Sequence, residues 1–351
     1  MATRVALVLV VPLALATSGC AWSLDEPAPL QAPGVDAGVP MPPACALLAE
    51  PARGLVGARG RVRTLRFPDG SLRLIADTLQ TRDGAGDHSV GPVVLTLTSA
   101  DAAGCLLPAL PATLPTTPPT SALDVSPLGA GTGQLLGVAV SAGRPIALVE
   151  TLAFINRIGI AAATWDDARG VFVAAASYLF TGDRAGFGDA VLVEDGFIYA
   201  YGCRNVGFLR DACYLARAPE AGLADPTAYT FYRAGGSFGP DLEDAWPLFD
   251  GGSGLAVLHR GARYYALYLT PLGDTIQARS GLSPSGPWSA PVVAARCVPP
   301  GGGFCTGLAV HPELAARPDH VWVSHAVASF DPLSPEDASS RLMELALTGL
   351  P

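Results

Sequence analysis

The chain has 351 residues, half of them hydrophobic and only 15% charged, with 22 basic side chains that are all arginine and a formal net charge of −9. That acidic balance argues against nucleic acid or an anionic membrane surface as partner, since both are held by basic patches; a neutral, sugar-like ligand fits it better. With 40 Gly and 32 Pro along the chain, long helices have little room.

The N-terminus reads as an export signal. Arg4 supplies a positive start, and residues 5–16 form an apolar run interrupted only by Pro12, too short to span a bilayer but suited to a signal-peptide core. Thr17-Ser18-Gly19-Cys20 then places small residues before a cysteine, the arrangement that lipoprotein processing requires, although Thr17 stands where Leu is usual. The expectation is a signal peptide over residues 1–19 and lipidation of Cys20; ordinary cleavage near Ala16, with Cys20 left as a spare thiol, is the alternative. Ala21 rather than Asp follows the cysteine, which favours the outer membrane or cell surface, with acyl chains as the sole anchor. Residues 20–44, rich in Pro, Ala and Gly, read as a spacer between lipid and folded domain.

Six cysteines remain: Cys45, Cys105, Cys203, Cys213, Cys297 and Cys305. An even number in an exported chain reads as disulfides. Of fifteen connectivities, Cys203–Cys213 and Cys297–Cys305 close short local loops, worth about 2 to 3 kcal/mol each, and leave Cys45 for Cys105. No spacing is the CxxC pair of a structural zinc site, so no metal or cofactor is expected.

From residue 45 onward the text becomes short β-type runs punctuated by Gly, Pro and Asp. Residues 71–76 (SLRLIA), 92–98 (PVVLTLT), 170–174 (GVFVA), 196–201 (GFIYAY), 263–268 (RYYALY) and 320–324 (HVWVS) read as strands. Residues 106–127, loaded with Pro and Thr, read as a long connection. A weak repeat is present: YLARAP at 214–219 leading to DPTAY at 225–229 echoes IQARS at 276–280 leading to SPSGPW at 283–288. Units of about 60 residues over about 300 would make five, and sheets packed radially around an axis leave only short edges. The expected fold is all-β, a five-bladed β-propeller over residues 45–351, and a monomer. Arg217 and Arg279 occupy equivalent repeat positions, which points to bridging between blades. Gly235–Gly239 fits the GxSxG of serine hydrolases, but that motif needs a strand before it and a helix after it; here it reads as a glycine-rich turn.

The sequence FGDAVLV at 187–193, YAYG at 199–202, YLAR at 214–217, SPSGPW at 283–288 and HPEL at 311–314 resembles a family of exported five-bladed propellers, long catalogued as a domain of unknown function, whose members include bacterial endo-D-arabinanases. The likeness covers about half of the mature domain, over residues 186–315. It implies acidic side chains at one mouth of a central channel, because glycoside hydrolysis takes one carboxyl as acid and another as base or nucleophile. Asp77-Thr78 matches the family's Asp-Thr pair at the end of a first strand, while residues 57–65 (GARGRVRTL) hold no acid where an upstream Asp is expected. Asp77 and Asp189 are therefore the candidate catalytic pair, and Glu150, His311 and Tyr201 the candidate ligand contacts, with Tyr199, Tyr264, Tyr265 and Trp288 as further sugar-stacking aromatics. Each has a plainer role available: a turn cap for Asp77, an inter-blade hydrogen bond for Asp189, a structural hydrogen bond for His311 and core packing for some of the aromatics. Two functions stay open, a glycan-binding propeller that hydrolyses arabinofuranose-type chains and a non-catalytic module that holds a cell-envelope partner.

Overall fold

The computed structural model describes residues 45–46, 55–83, 86–100, 106–108, 121–129, 132–153, 156–182, 186–297, 299, 303–314, 317–329 and 340–350, all within one compact unit that spans residues 41–351. Cys20, the signal peptide and the spacer lie outside the described residues, as does Cys105. No helix among the described residues is long and apolar enough to cross a membrane.

The unit is a five-bladed β-propeller. Five sheets follow one another in sequence, each with a core of consecutive antiparallel strands that steps outward from an inner strand; the parallel pairing of Leu123–Asp124 with Val171–Ala174 adds an edge to the second. The inner strands of blades one to five are Leu55–Arg66, Thr132–Ser141, Ala190–Glu194, Ser253–Arg260 and Phe304–His311. The six strands read from sequence all lie in blades, and five of them start at or one residue after the predicted start and run past the predicted end. The ring closes because Cys45–Ala46 pairs with Arg341–Ala346, the outer strand of the fifth blade, in the register Cys45↔Leu342. Parts of the stretch expected to be a connection belong to blades. Leu106–Pro108 forms the outer edge of the first blade and Leu123–Asp124 pairs with the second, because Leu123 and Val125 have a core to enter.

A separate apolar cluster fills each of the five clefts between neighbouring blades. Both faces of a blade are thereby buried, which is why central strands read as continuous apolar runs rather than clean alternation: residues 146–149 and 160–163 are buried without a break. Between the second and third blades, Phe180, Phe187, Tyr229 and Phe231 pack edge-on or tilted against one another. They fill space left by Ala162, Ala200, Ala212 and Ala216. Large against small lets twisted sheets approach at native density.

Of the two repeat arginines, Arg279 bridges blades: it donates to Tyr268 Oη (2.9 Å) and the Ser289 carbonyl (2.7 Å) and crosses to the Asp250 carbonyl (3.1 Å) in the third blade's sheet. Arg217 instead stays within its own blade, its guanidinium 3.8 Å from the Phe238 ring centre and 4.9 Å from that of Phe197. The equivalence is one of strand position, and the partner depends on which aromatic the local loop supplies. Residues 235–239 are a turn: Gly235 and Gly236 both have φ of +85°, and Arg233 N–H bonds the Ser237 carbonyl.

Gly202 shows how tightly one loop is held. A Cβ there would collide with the Gly186 carbonyl, in the segment that leads to Asp189. Gly202→Ala should lower stability by about 2 to 3 kcal/mol, the usual cost of overpacking against backbone, measured as a fall in the urea midpoint at unchanged m-value.

Candidate functional site at the channel mouth

The five inner strands line a central cavity of about 370 Å³. Gly307 lies against Gly60 and Arg61, and Thr64 meets His311, so the inner strands of the first and fifth blades run the same way. Parallel inner strands give the channel two chemically distinct ends. Arg61, Arg63 and Asp189 lie toward the end where the strands begin, and Arg66, His259 and Glu313 toward the other.

At the first end a local irregularity makes the site. The pairing of the first two strands slips between Arg59 and Val62, and Gly60 takes φ of +76° in this bulge. Asp77 sits opposite, in the interior of Leu72–Asp83 rather than at a strand end, because that strand continues well past the predicted boundary. Its Oδ2 accepts the Arg61 backbone N–H at 2.8 Å and its Oδ1 accepts from Arg63 Nη1 at 2.9 Å. Arg63 also donates to the Leu135 carbonyl of the next blade at 2.7 Å. Burial pushes the Arg63 guanidinium down to about 10, against the upward pull of Asp77. Arg61 reaches across the channel to the third blade, where Nη2 lies 3.1 Å from Asp189 Oδ1 and Nη1 donates to the Asp189 carbonyl at 3.3 Å. The other Asp189 oxygen accepts from Cys203 N–H at 3.4 Å.

Asp77 and Asp189 are thus brought to one mouth, and both are tied to Arg61, one through its backbone and one through its side chain. The stretch without acids supplies the two cations that hold the acids. Glu150, on the second strand of the second blade, is paired in the same manner with Arg157 at 2.7 Å. The Arg157 guanidinium comes close to Gly186, three residues before Asp189.

His311 and Tyr201 are not at this mouth. His311 is fully buried, bracketed by the hydroxyls of Thr64 (3.2 Å from Nδ1) and Ser324 (2.9 Å from Nε2). Burial, with a smaller push from Arg63, takes its pKa down to about 3. The Thr64 hydroxyl also donates to Glu313 Oε2 at 2.8 Å, and burial pushes the Glu313 carboxyl up. Tyr201 is buried between the third and fourth blades, its hydroxyl donating to the Pro284 carbonyl at 2.8 Å. Tyr199 and Tyr265 are core residues too, Tyr264 stacks on His259, and Trp288 packs edge-on against Phe249.

Two exposed aromatics, Phe208 and Trp246, are ones that sequence reading passed over. Phe197–Gly207 and Arg210–Pro219 form a hairpin whose tip carries Val206, Phe208 and Leu209, with Phe208 92% exposed. The Cys203–Cys213 disulfide crosses this hairpin between directly paired residues, next to Asp189. The tip therefore projects from the same face as the Arg61–Asp189 pair. Cys297–Cys305 is the second disulfide and links the fourth and fifth blades. The proposed Cys45–Cys105 bridge falls outside the described residues.

Residues 161–322 match the model of a family described as a domain of unknown function (DUF4185). No curated protein matches the chain significantly. Among solved structures, a protein from Bacteroides ovatus provisionally described as a hydrolase is similar with a TM-score of 0.57 and 15% identity, over 83% of this chain and 86% of that one. The GH43_1 enzyme from Xanthomonas citri complexed with xylotriose gives 0.53 and 16%, over 87% and 90%. A GH43 β-xylosidase/α-arabinofuranosidase from a compost microbial metagenome, also in complex with xylotriose, gives 0.51 and 14%, over 86% and 94%. At these identities the likeness establishes the fold alone, the five-bladed propeller, which this chain shares with glycoside hydrolases, and does not single out an endo-D-arabinanase.

Two predictions concern the buried polar groups. Arg63→Met removes the cation from Asp77 and should cost about 2 to 4 kcal/mol, the penalty for breaking a largely buried pair, read from denaturant melts. His311 is neutral when folded and takes up a proton more readily when unfolded. The stability it contributes is therefore complete above its ordinary value near 6.5 and is lost as pH falls toward about 3. His311→Asn should flatten that acid loss by up to about 1.4 kcal/mol per pH unit, measured by urea melts between pH 7 and pH 4.

Proposed function

We propose that this protein is a lipid-anchored surface propeller that binds glycan at the channel mouth formed by Arg61, Asp77, Asp189 and the Phe208 hairpin. The observation that carries this reading is the convergence of two carboxylates on Arg61. It presents salt-bridged donors and acceptors at a concave opening, on the face from which the disulfide-braced hairpin carrying the exposed Phe208 projects. Sugars are recognised by that combination: hydroxyls exchange hydrogen bonds with fixed polar groups, and an apolar ring face stacks on an aromatic. The xylotriose held by propellers of the same fold supports carbohydrate as the ligand class.

Hydrolysis of arabinofuranose-type chains is the second reading, favoured by the shared tether of Asp77 and Asp189. Against it stands their pairing. A general acid has to present a proton to the leaving oxygen, and at this mouth Asp77, Asp189 and Glu150 each face a guanidinium. Glu313, whose carboxyl burial pushes up, belongs to the other end of the channel. Binding is therefore the primary role in this proposal, and anchoring through Cys20 places it at the outer membrane or cell surface, where envelope or environmental polysaccharide is within reach.

The test is retention on immobilised arabinan and xylan together with release of reducing sugar. Wild type should be retained and release no sugar. Phe208→Ala should weaken retention by about tenfold, the value of one aromatic contact of roughly 1.4 kcal/mol, with no change in melting temperature. Sugar release abolished by Asp77→Asn would establish the hydrolase reading instead, and absence of retention on any glycan would favour a protein partner.

A further inference from the structure

His325 lies on His320–Ala328, the second strand of the fifth blade, and is 1% exposed. Neither of its ring nitrogens has a hydrogen-bond partner among the described residues. Buried polar groups are almost always satisfied, and an unmet one calls for an explanation. The explanation stands next to it. The sulfurs of Cys297 and Cys305 and a His325 ring nitrogen all lie within 4.8 Å of one another. Cys297 follows the outer strand Val292–Arg296 of the fourth blade, Cys305 is on the inner strand of the fifth, and His325 is on the strand beside it. The surroundings are mostly apolar, with Leu308, Val321, Val323 and Met343 in the same cluster, and Arg341 stands opposite His325 on the next strand.

We propose that Cys297, Cys305 and His325 form a two-state clasp between the fourth and fifth blades: a disulfide in the oxidised protein, and after reduction a Cys₂His site for zinc. The ligand set is the nitrogen and sulfur chemistry that zinc prefers, and three protein ligands leave a fourth position for water or a carbonyl oxygen. The Asp274 carbonyl lies 3.3 Å from Cys297 Sγ and is one such oxygen. Two thiolates neutralise one divalent cation, so the filled site has no net charge and suits an apolar cleft. The spacing of the cysteines hides the site in the sequence, because the third ligand comes from a neighbouring strand.

The chemistry balances with a phosphine as reductant. The S–S bond breaks, its sulfurs gain two electrons and two protons, and the phosphine takes an oxygen from water to become its oxide. Zinc then displaces both thiol protons as two Zn–S bonds and one Zn–N bond form. Either state joins the same two blades, so the clasp survives a change of redox conditions.

The experiment uses the full-length chain in detergent, reduced anaerobically with a water-soluble phosphine and titrated with Co²⁺, then with Zn²⁺. The expected result is a thiolate-to-cobalt charge-transfer band saturating at one Co²⁺ per chain, bleached by Zn²⁺ and absent before reduction. Zinc should also raise the melting temperature of the reduced protein. His325→Ala, first shown to fold in the oxidised state, should weaken cobalt binding at least tenfold, and Cys297→Ser, which cannot form the disulfide, should lose the charge-transfer band. A reduced protein that neither binds cobalt nor gains stability from zinc would overturn the proposal. So would a band unchanged in both variants, which would place the metal on other cysteines. These readouts are independent of glycan binding.

Discussion

Everything in this molecule depends on five sheets each burying both faces against a neighbour. An isolated four-stranded sheet of this composition would expose two apolar faces; arranged around an axis, each becomes one wall of an inter-blade core. The geometry that buries those faces also drives the five inner strands together, and the space they cannot fill is the channel. The site is therefore a by-product of closure, and closure depends on the strand at Cys45–Ala46 completing the last blade.

Within that frame, polar groups occupy the places where sheet packing cannot reach. The bulge around Gly60 turns Arg61 toward the third blade and leaves a backbone N–H for Asp77 to accept. Arg63 joins the first blade to the second through the Leu135 carbonyl, and Arg61 joins the first to the third through Asp189. Three blades are thus pinned at the mouth by two arginines. The same contacts that hold the mouth rigid commit its carboxylates, and this favours recognition over proton transfer.

The fold was legible because its signals are local. Gly, Pro and Asp punctuate β-branched and aromatic runs, and the recurring Ala-Arg at 216–217 and 278–279 marks corresponding third strands of consecutive blades. The site was legible only by half. Asp77 and Asp189 were found as acids beside strands, but their partners were not, because residues 57–65 were read for a missing acid. Arg61 and Arg63 alternate on a strand in a domain poor in charge, and two such cations entering a core require anions; that was the available signal. Phe208 was overlooked because exposure at a hairpin tip is set by register, and the register follows from the Cys203↔Cys213 pairing. Tyr201 looked like a ligand contact for the converse reason: an aromatic on a strand has the same text whether it faces a cleft or a neighbouring blade.

An arginine-pinned mouth on the same face as an exposed aromatic ring makes a specific commitment about where a sugar sits. The most direct measurement is a crystal structure of the protein with an arabino- or xylo-oligosaccharide bound. The account predicts sugar rings at the channel mouth, hydrogen-bonded to Arg61 or Asp189 and with one ring against Phe208. Sugar bound only on another face, or no sugar at saturating concentration, would contradict it.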